Sequence, residues 1–286
     1  MNNTNKLTKF LNLIKNTDSL LEFKIIEIGA HPYEGKEEPF YQILDYFPKS
    51  KIYAFEIDEN ECDKLNNSSK SGVKYFPYAI GQKDEEIKFY ETKHPMCSST
   101  YEPNEELLKI YNNLEVALLK NISKIKTTSL DRFLKKEKIN SIDFIKIDIQ
   151  GGEMNVFKGA REVLKNTLMV ISEVEFIPIY KNQPLFGDIN SFLNKEDLIF
   201  HKFLGLAGRC LSPIILNKNK NFATQHIWSD AIFIKNILNL KKLNKSQLLK
   251  SAVFSFLYGS PDFTFHYLLA YDKLEKTNLI DEFKKI

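Results

Sequence analysis

The sequence predicts an α/β protein built on a central, mostly parallel sheet, and three observations carry that expectation. The run Asp143-Phe-Ile-Lys-Ile-Asp148 is apolar between its acids except for Lys146. It then opens through Ile149-Gln-Gly-Gly-Glu153 into a helical pattern, as a buried parallel strand does at its carboxyl end. Phe23 to Ala30 and Lys51 to Glu56 are two more strand-like runs, and the helical spacing between them, from Phe40 to Phe47, makes a strand-helix-strand unit. A fifth-strand run, Leu168 to Phe176, follows a helix continuing through Ala160 to Leu164 and again ends in acids.

Taken in order, residues from about Leu7 to Leu21 set Leu7, Phe10, Leu11, Leu13 and Ile14 at mostly helical spacing, an amphipathic helix covering one sheet edge. The first strand ends in Glu27 and Gly29 before the loop His31-Pro-Tyr-Glu-Gly35, and the second ends in Glu56. Val73 to Gly81 reads as a third strand running into a turn, followed by a polar hairpin-like segment from Glu85 to Tyr90. From His94 to Asn121 weak strand signals mix with helical spacing between Glu105 and Leu119, which reads as a flap over the sheet. Lys126 to Asp131 leads into a short helix before the central strand. Pro178 stops the fifth strand, Phe186 to Leu193 is a helix, and Leu198 to Leu204 and Trp228 to Ile234 are the last strands.

Beyond Asn239 a helical stripe of Leu248, Leu249, Ala252, Val253, Phe256 and Leu257 is broken at Gly259-Ser-Pro261, and helix-like spacing resumes from Phe263 to Leu274. Packing on the parent domain is the default for this helical hairpin. The aromatic density at Phe254, Tyr258, Phe265 and Tyr267 motivates a second expectation, a homodimer contact or a wall of an acceptor site. The expected division is therefore an N-terminal helix over residues 1–22, a main domain over 23–238 and a C-terminal helical extension over 239–286.

With 43% hydrophobic residues in 286, the chain can fill a sizeable core. Its formal charge is only +3 and its arginines are Arg132, Arg161 and Arg209, so a concentrated nucleic-acid face is not expected. Cys62, Cys97 and Cys210 lie far apart, which fits neither a disulfide framework nor a thiolate metal site and points to the reducing cytoplasm. The carboxylates are dense, yet no ligand spacing calls for a metal. The N-terminus lacks a signal-peptide core and no stretch approaches the ~18 apolar residues of a membrane span.

Charge bears most on function. Gly151 and Gly152 take side chains out of the crevice at the central strand's end, so that Asp148 and Glu153 can face it. Glu56, 27 positions beyond Gly29, stands where a carboxylate accepts hydrogen bonds from both hydroxyls of a ribose. Of the three glycines that bring a pyrophosphate onto a helix N-terminus, only Gly29 and Gly35 remain, and Glu27, Asp148 and Glu153 add negative charge. Such a crevice repels pyrophosphate and favours a ligand with a ribose and a cationic end, as S-adenosylmethionine has. An NAD-type or nucleotide-sugar-binding Rossmann protein is the runner-up.

The motifs Ile26-Glu-Ile-Gly-Ala30, Ala54-Phe-Glu56, Thr127-Thr-Ser-Leu-Asp131, Asp143 to Glu153 with Phe157-Lys-Gly-Ala160, and Glu173-Val-Glu-Phe-Ile-Pro-Ile-Tyr-Lys-Asn-Gln-Pro-Leu-Phe186 give the chain a family resemblance. From about Lys24 to Lys235 it resembles the FkbM family of S-adenosylmethionine-dependent methyltransferases. The resemblance implies a class I, Rossmann-like methyltransferase sheet of seven strands, one of them antiparallel, with helices on both faces. It implies methyl transfer to an oxygen of a sugar, polysaccharide or natural-product precursor. His31-Pro32-Tyr33 departs from the family pattern, in which a second glycine usually follows the first strand, and this keeps open a third expectation, a methyltransferase-like binding module without catalysis.

On that reading Glu27, Gly29, Ala30 and His31 hold the methionine end of S-adenosylmethionine, Glu56 and Ile57 the ribose, and Ala79 and Ile80 the adenine edge, with Ser98 from the following loop. Asp148 lies near the transferring methyl, as base or as a contact to cofactor and acceptor. Glu173 or Glu175 holds or deprotonates the acceptor, and Glu153, Tyr180 and Gln183 are further acceptor contacts. For each acid the competing role is a cap or a pair with a lysine such as Lys146.

Overall fold

A computed structural model describes residues 3–30, 38–219 and 221–286. Helix α1 (Asn3–Thr17) leads into β1 (Lys24–Ile28), and a 3-10 turn at Pro39–Gln42 runs into the one-turn helix α2 (Ile43–Tyr46). Then follow β2 (Lys51–Phe55), α3 (Glu59–Ser68), β3 (Val73–Phe76), β4 (Ala79–Gly81), β5 (Glu85–Thr92), α4 (Glu105–Leu108), β6 (Leu119–Ser129) and α5 (Leu130–Lys136). The central stretch is β7 (Phe144–Ile147), α6 (Glu153–Lys158), α7 (Arg161–Asn166), β8 (Met169–Glu175) and α8 (Phe186–Lys195). The chain ends in β9 (Leu198–Phe203), β10 (Ala207–Gly208), β11 (His226–Lys235), α9 (Lys245–Leu257), α10 (Pro261–Glu275) and α11 (Leu279–Phe283).

The main sheet runs β10-β11-β8-β7-β1-β2-β3, with β9 also paired to β11. Strands β3, β2, β1, β7 and β8 are parallel, and β11 runs antiparallel to β8, β9 and β10. This is the expected α/β sheet with one reversed strand, to which β10 adds a two-residue pairing at the edge. All four residues of β7 are buried, because helices cover both faces. Period-two alternation sends Phe144 to one core and Ile145 and Ile147 to the other.

On the first face, Phe10 and Ile14 of α1 meet Phe23, Phe40 and Phe144 together with Phe254 and Tyr267 of the C-terminal helices. On the second, α5 to α8 contribute Phe133, Val156, Phe157, Leu164, Ile189 and Leu193. Phe254 packs at 5.1 Å from Phe144 and 5.5 Å from Phe23, and Lys250 of α9 bonds both carboxylate oxygens of Asp143 at 2.9 Å. The C-terminal aromatics Phe254 and Tyr267 thus point inward and share the core of the sheet's first face. Each fully buried side chain of this size contributes roughly 1.5–3 kcal/mol over leaving it in water. No helix among the described residues is long and apolar enough to cross a membrane.

Two regions differ from the sequence expectation. Val73 to Gly81 is two strands, broken at Pro77, which has no N–H to continue a ladder. Strand β3 stays in the main sheet, while β4 joins a second sheet of order β4-β6-β5. The Glu85–Thr92 segment pairs antiparallel with Leu119–Ser129, and residues 93–118, which include α4, form the long connection between β5 and β6. This second sheet walls the site described next.

Candidate active site

The carboxyl ends of β1, β2 and β7 open into one cleft of about 620 Å³, within the range of small-molecule sites. Two strand ends meet at its floor. Gly29 has φ +80°, and a Cβ there would collide with the carbonyl oxygen of Asp148, so the two chains approach this closely only with glycine. The N–H groups of Gly29 and Ala30 both donate to the carbonyl of Phe55, at 3.2 and 3.1 Å, which ties the end of β1 to that of β2.

One end of the cleft is apolar: Ile57, Leu65, Tyr78, Ile80, Phe89 and Ile125 line a slot between α3 and the small sheet. Glu56 lies beside it, one carboxylate oxygen accepting from the Asp58 N–H at 3.0 Å. Ala79 and Ser98 complete that wall, and the Ser98 hydroxyl oxygen accepts from the Thr92 N–H at 3.1 Å.

The other end is polar and holds Glu27, Glu38, Tyr41, Lys146 and Asp148. Glu27 and Lys146 are register partners on β1 and β7. The Tyr41 hydroxyl donates to Glu27 at 2.6 Å. Burial pushes the Glu27 carboxyl up to about 7, against the pull of that hydrogen bond, and Glu38 adds to the rise. Burial raises Glu38 as well. Burial alone would lower the Lys146 ammonium, but Asp148, Asp230 and Glu38 outweigh it and hold the group charged. Lys146 donates to Asp230 at 3.0 Å and stands 3.8 Å from Asp148.

Behind Asp148 a second layer supports the turn. Gln150 takes a left-handed φ of +58° and Gly151 one of +94°. The Gln150 amide nitrogen donates to Asp148 at 3.0 Å and to Glu173 at 2.5 Å, while its side-chain oxygen accepts from the Tyr180 hydroxyl at 3.0 Å. Glu153 folds back so that its carboxylate accepts from the Ile149 N–H at 2.9 Å. Burial pushes Glu153 up to about 7, and burial together with Asp148 and the neighbouring glutamates raises Glu173 and Glu175 well above the ordinary range. Glu153 and Glu175 have no exposed surface, and Tyr180 and Gln183 are also buried.

The structure therefore brings Glu27, Gly29, Ala30, Glu56, Ile57, Ala79, Ile80, Ser98 and Asp148 to one cleft. It sets Glu153, Glu173, Glu175, Tyr180 and Gln183 behind the Asp148 turn, off the cleft wall, with Glu173 reaching Asp148 through Gln150. His31 lies outside the described residues. Among the described residues, no group of three or more His, Cys, Asp or Glu side chains is arranged to hold a metal ion.

The profile of the methyltransferase FkbM domain matches residues 27–200, more than half of the chain. The chain belongs to the FkbM methyltransferase family. It is also 25% identical over 215 residues to the 2-O-methyltransferase NoeI of Sinorhizobium fredii (strain NBRC 101917 / NGR234), a match spanning 72% of this chain and 86% of that protein. Solved structures are more remote. A putative methyltransferase from Thermoplasma acidophilum is 9% identical with a TM-score of 0.33, over 75% of this chain and 69% of that one. An uncharacterized protein from Listeria monocytogenes serotype 4b is 11% identical with a TM-score of 0.35, over 98% and 97%. Likeness at that level does not bear on the site.

In this FkbM methyltransferase, sequence reasoning missed Glu38, Tyr41, Gln150 and Asp230. Gln150 stood inside the central motif, but an amide among acids reads as filler until its three hydrogen-bonding partners are seen. Asp230 lies in register with Glu173 on the last strand, a pairing that only the topology supplies.

Proposed function

We propose that this chain is an S-adenosylmethionine-dependent O-methyltransferase acting on a hydroxyl of a sugar or of a sugar-containing polysaccharide or natural-product precursor. One observation carries the reading: a single cleft joins an apolar slot, a carboxylate at the end of the second strand and an acid-rich polar end. The slot suits adenine, Glu56 the ribose hydroxyls, and Glu27 with Glu38 and Asp148 a cationic end. The name of the 2-O-methyltransferase relative supports oxygen as the methylated atom.

The donor, when bound, supplies an electrophilic methyl group on a positively charged sulfur. The chain's own work is to align the acceptor oxygen and to remove its proton, and alignment accounts for most of the rate. A sugar hydroxyl does not ionise near neutrality, so it needs a base within ~3 Å. Asp148, 40% exposed at the polar end, is that base; Gln150 fixes one of its oxygens. Glu173, whose carboxyl burial and Asp148 raise well above the ordinary range, lies behind the Asp148 turn and off the cleft wall.

Calorimetric titration with S-adenosylhomocysteine, using Glu56→Ala as control, tests the cofactor. Micromolar binding that the substitution abolishes is expected, and no binding by the unaltered chain overturns the reading. Transfer of labelled methyl to a panel of nucleotide sugars and glycan fragments, lost in Asp148→Asn, tests the acceptor class.

A further inference from the structure

The polar end of the cleft carries more acid than base, yet the methyl donor proposed for it is a zwitterion whose amino-acid end also bears a carboxylate. Glu27, Glu38 and Asp148 serve an ammonium group and repel a carboxylate. Backbone N–H groups at the turn after β1 are the obvious alternative donors. Among the described residues of that turn, those of Gly29 and Ala30 are already committed to the Phe55 carbonyl.

Among the described lining residues two cations remain. Lys70 lies at the opposite end, with Leu65, Ser68 and Ser69, beside the apolar slot. Lys146 lies at the polar end, in register with Glu27, its side chain 8% exposed. An ammonium group has three N–H donors. One goes to Asp230 at 3.0 Å, and Asp148 at 3.8 Å is an ion-pair partner beyond hydrogen-bonding distance; among the described residues the ammonium makes no other hydrogen bond, and it lines the cleft. The acids around Lys146 keep it charged in spite of its burial.

We propose that Lys146 is the anion-binding group of the cleft and takes the α-carboxylate of the methyl donor, with Asp230 holding the ammonium in place. The inference rests on the reading of the cleft as an S-adenosylmethionine site. It makes that end an alternating set: Glu27 and Glu38 for the ligand's ammonium, Lys146 for its carboxylate.

The test compares S-adenosylmethionine with decarboxylated S-adenosylmethionine, which keeps the adenosine, sulfonium and ammonium, by titration calorimetry of the full chain and of Lys146→Met. The full chain should bind the intact ligand roughly ten- to hundredfold more tightly than the decarboxylated one. Lys146→Met should erase that preference, whatever it does to the absolute affinities through Glu27 and Glu38, whose pKa values the lysine also lowers. A full chain that binds both ligands equally overturns the proposal without any variant. Equal weakening of both ligands by Lys146→Met also overturns it, since that assigns the lysine to the fold. Binding of neither ligand by the full chain refutes the cofactor reading itself. If Lys146→Met does not fold, Lys146→Gln is measured in the same way, and a preference it retains in full sinks the idea.

Discussion

The hydroxyl of Tyr41 donates to the carboxylate of Glu27 across 2.6 Å at the buried, polar end of the cleft. Burial holds Glu27 at about 7 and this hydrogen bond is the main force pulling it down. A carboxylate that binds a cationic ligand end must be ionised, so affinity for S-adenosylhomocysteine should strengthen as pH rises through about 7. Tyr41→Phe removes the bond and should move that transition up by roughly one pH unit, while Glu27→Gln abolishes it. Titration calorimetry from pH 6 to 9 reads both, and an unmoved transition in Tyr41→Phe would exclude Glu27 as the titrating group.

Lys250 of α9 grips both oxygens of Asp143 at 2.9 Å, with side chains 13% and 9% exposed, and Asp143 also accepts from the Lys24 N–H at 2.8 Å. Lys250→Ala leaves that carboxylate inside without its cation and should cost roughly 3 kcal/mol or more by urea denaturation. Truncation after Leu238 removes α9 to α11 and strips Phe23 and Phe144 of their cover. Such a chain should show no cooperative unfolding transition; a truncated form with an undiminished one would make the C-terminal helices an independent appendage.

Much of the architecture was legible because buried parallel strands write near-continuous apolar runs, as β1, β7 and the start of β8 do. Helix α3 was not, since Cys62 is its one buried residue and its periodicity is nearly silent; its trace is Asp58, which caps the Glu61 N–H. The second sheet was hidden for a related reason: β6 buries only Thr127, and its partner β5 lies across a long loop. In the site, strand-end acids were readable from position alone. Their separation into cleft groups, such as Asp148, and supporting groups, such as Glu153 and Glu175, depends on which way the turn at Gln150 and Gly151 points, and that is fixed by contacts from Tyr180 and Ser99.

Gln150 ties Asp148 to Glu173 through one amide nitrogen, at 3.0 and 2.5 Å. Gln150→Leu keeps the bulk and removes the tether, so Asp148 loses its fixed orientation. The expected result is a fall in kcat on the order of tenfold, with S-adenosylhomocysteine affinity within about twofold of the unaltered chain. An unchanged kcat would show that Asp148 needs no such support.

Glu153 and Glu27 both sit near 7, raised by burial from an ordinary 4.5. In the folded chain each still holds its proton between those values, whereas in the unfolded chain each has released it. The unfolded state therefore binds fewer protons in that window, and stability must fall as pH rises from about 4.5 through about 7, then level off. Thermal unfolding should show a Tm lower at pH 8 than at pH 5 by on the order of 5 °C. Glu153→Gln keeps the oxygen that accepts from the Ile149 N–H but cannot ionise, so it should match the unaltered chain at pH 5 and exceed it at pH 8. The comparison at pH 8 is the decisive one, because a lost hydrogen bond would lower Tm at both pH values and only a removed buried charge raises it at one. A variant equally destabilised at pH 5 and pH 8 would mean that Glu153 serves the turn as a carboxylate, and that its proton plays no part in the stability of the fold.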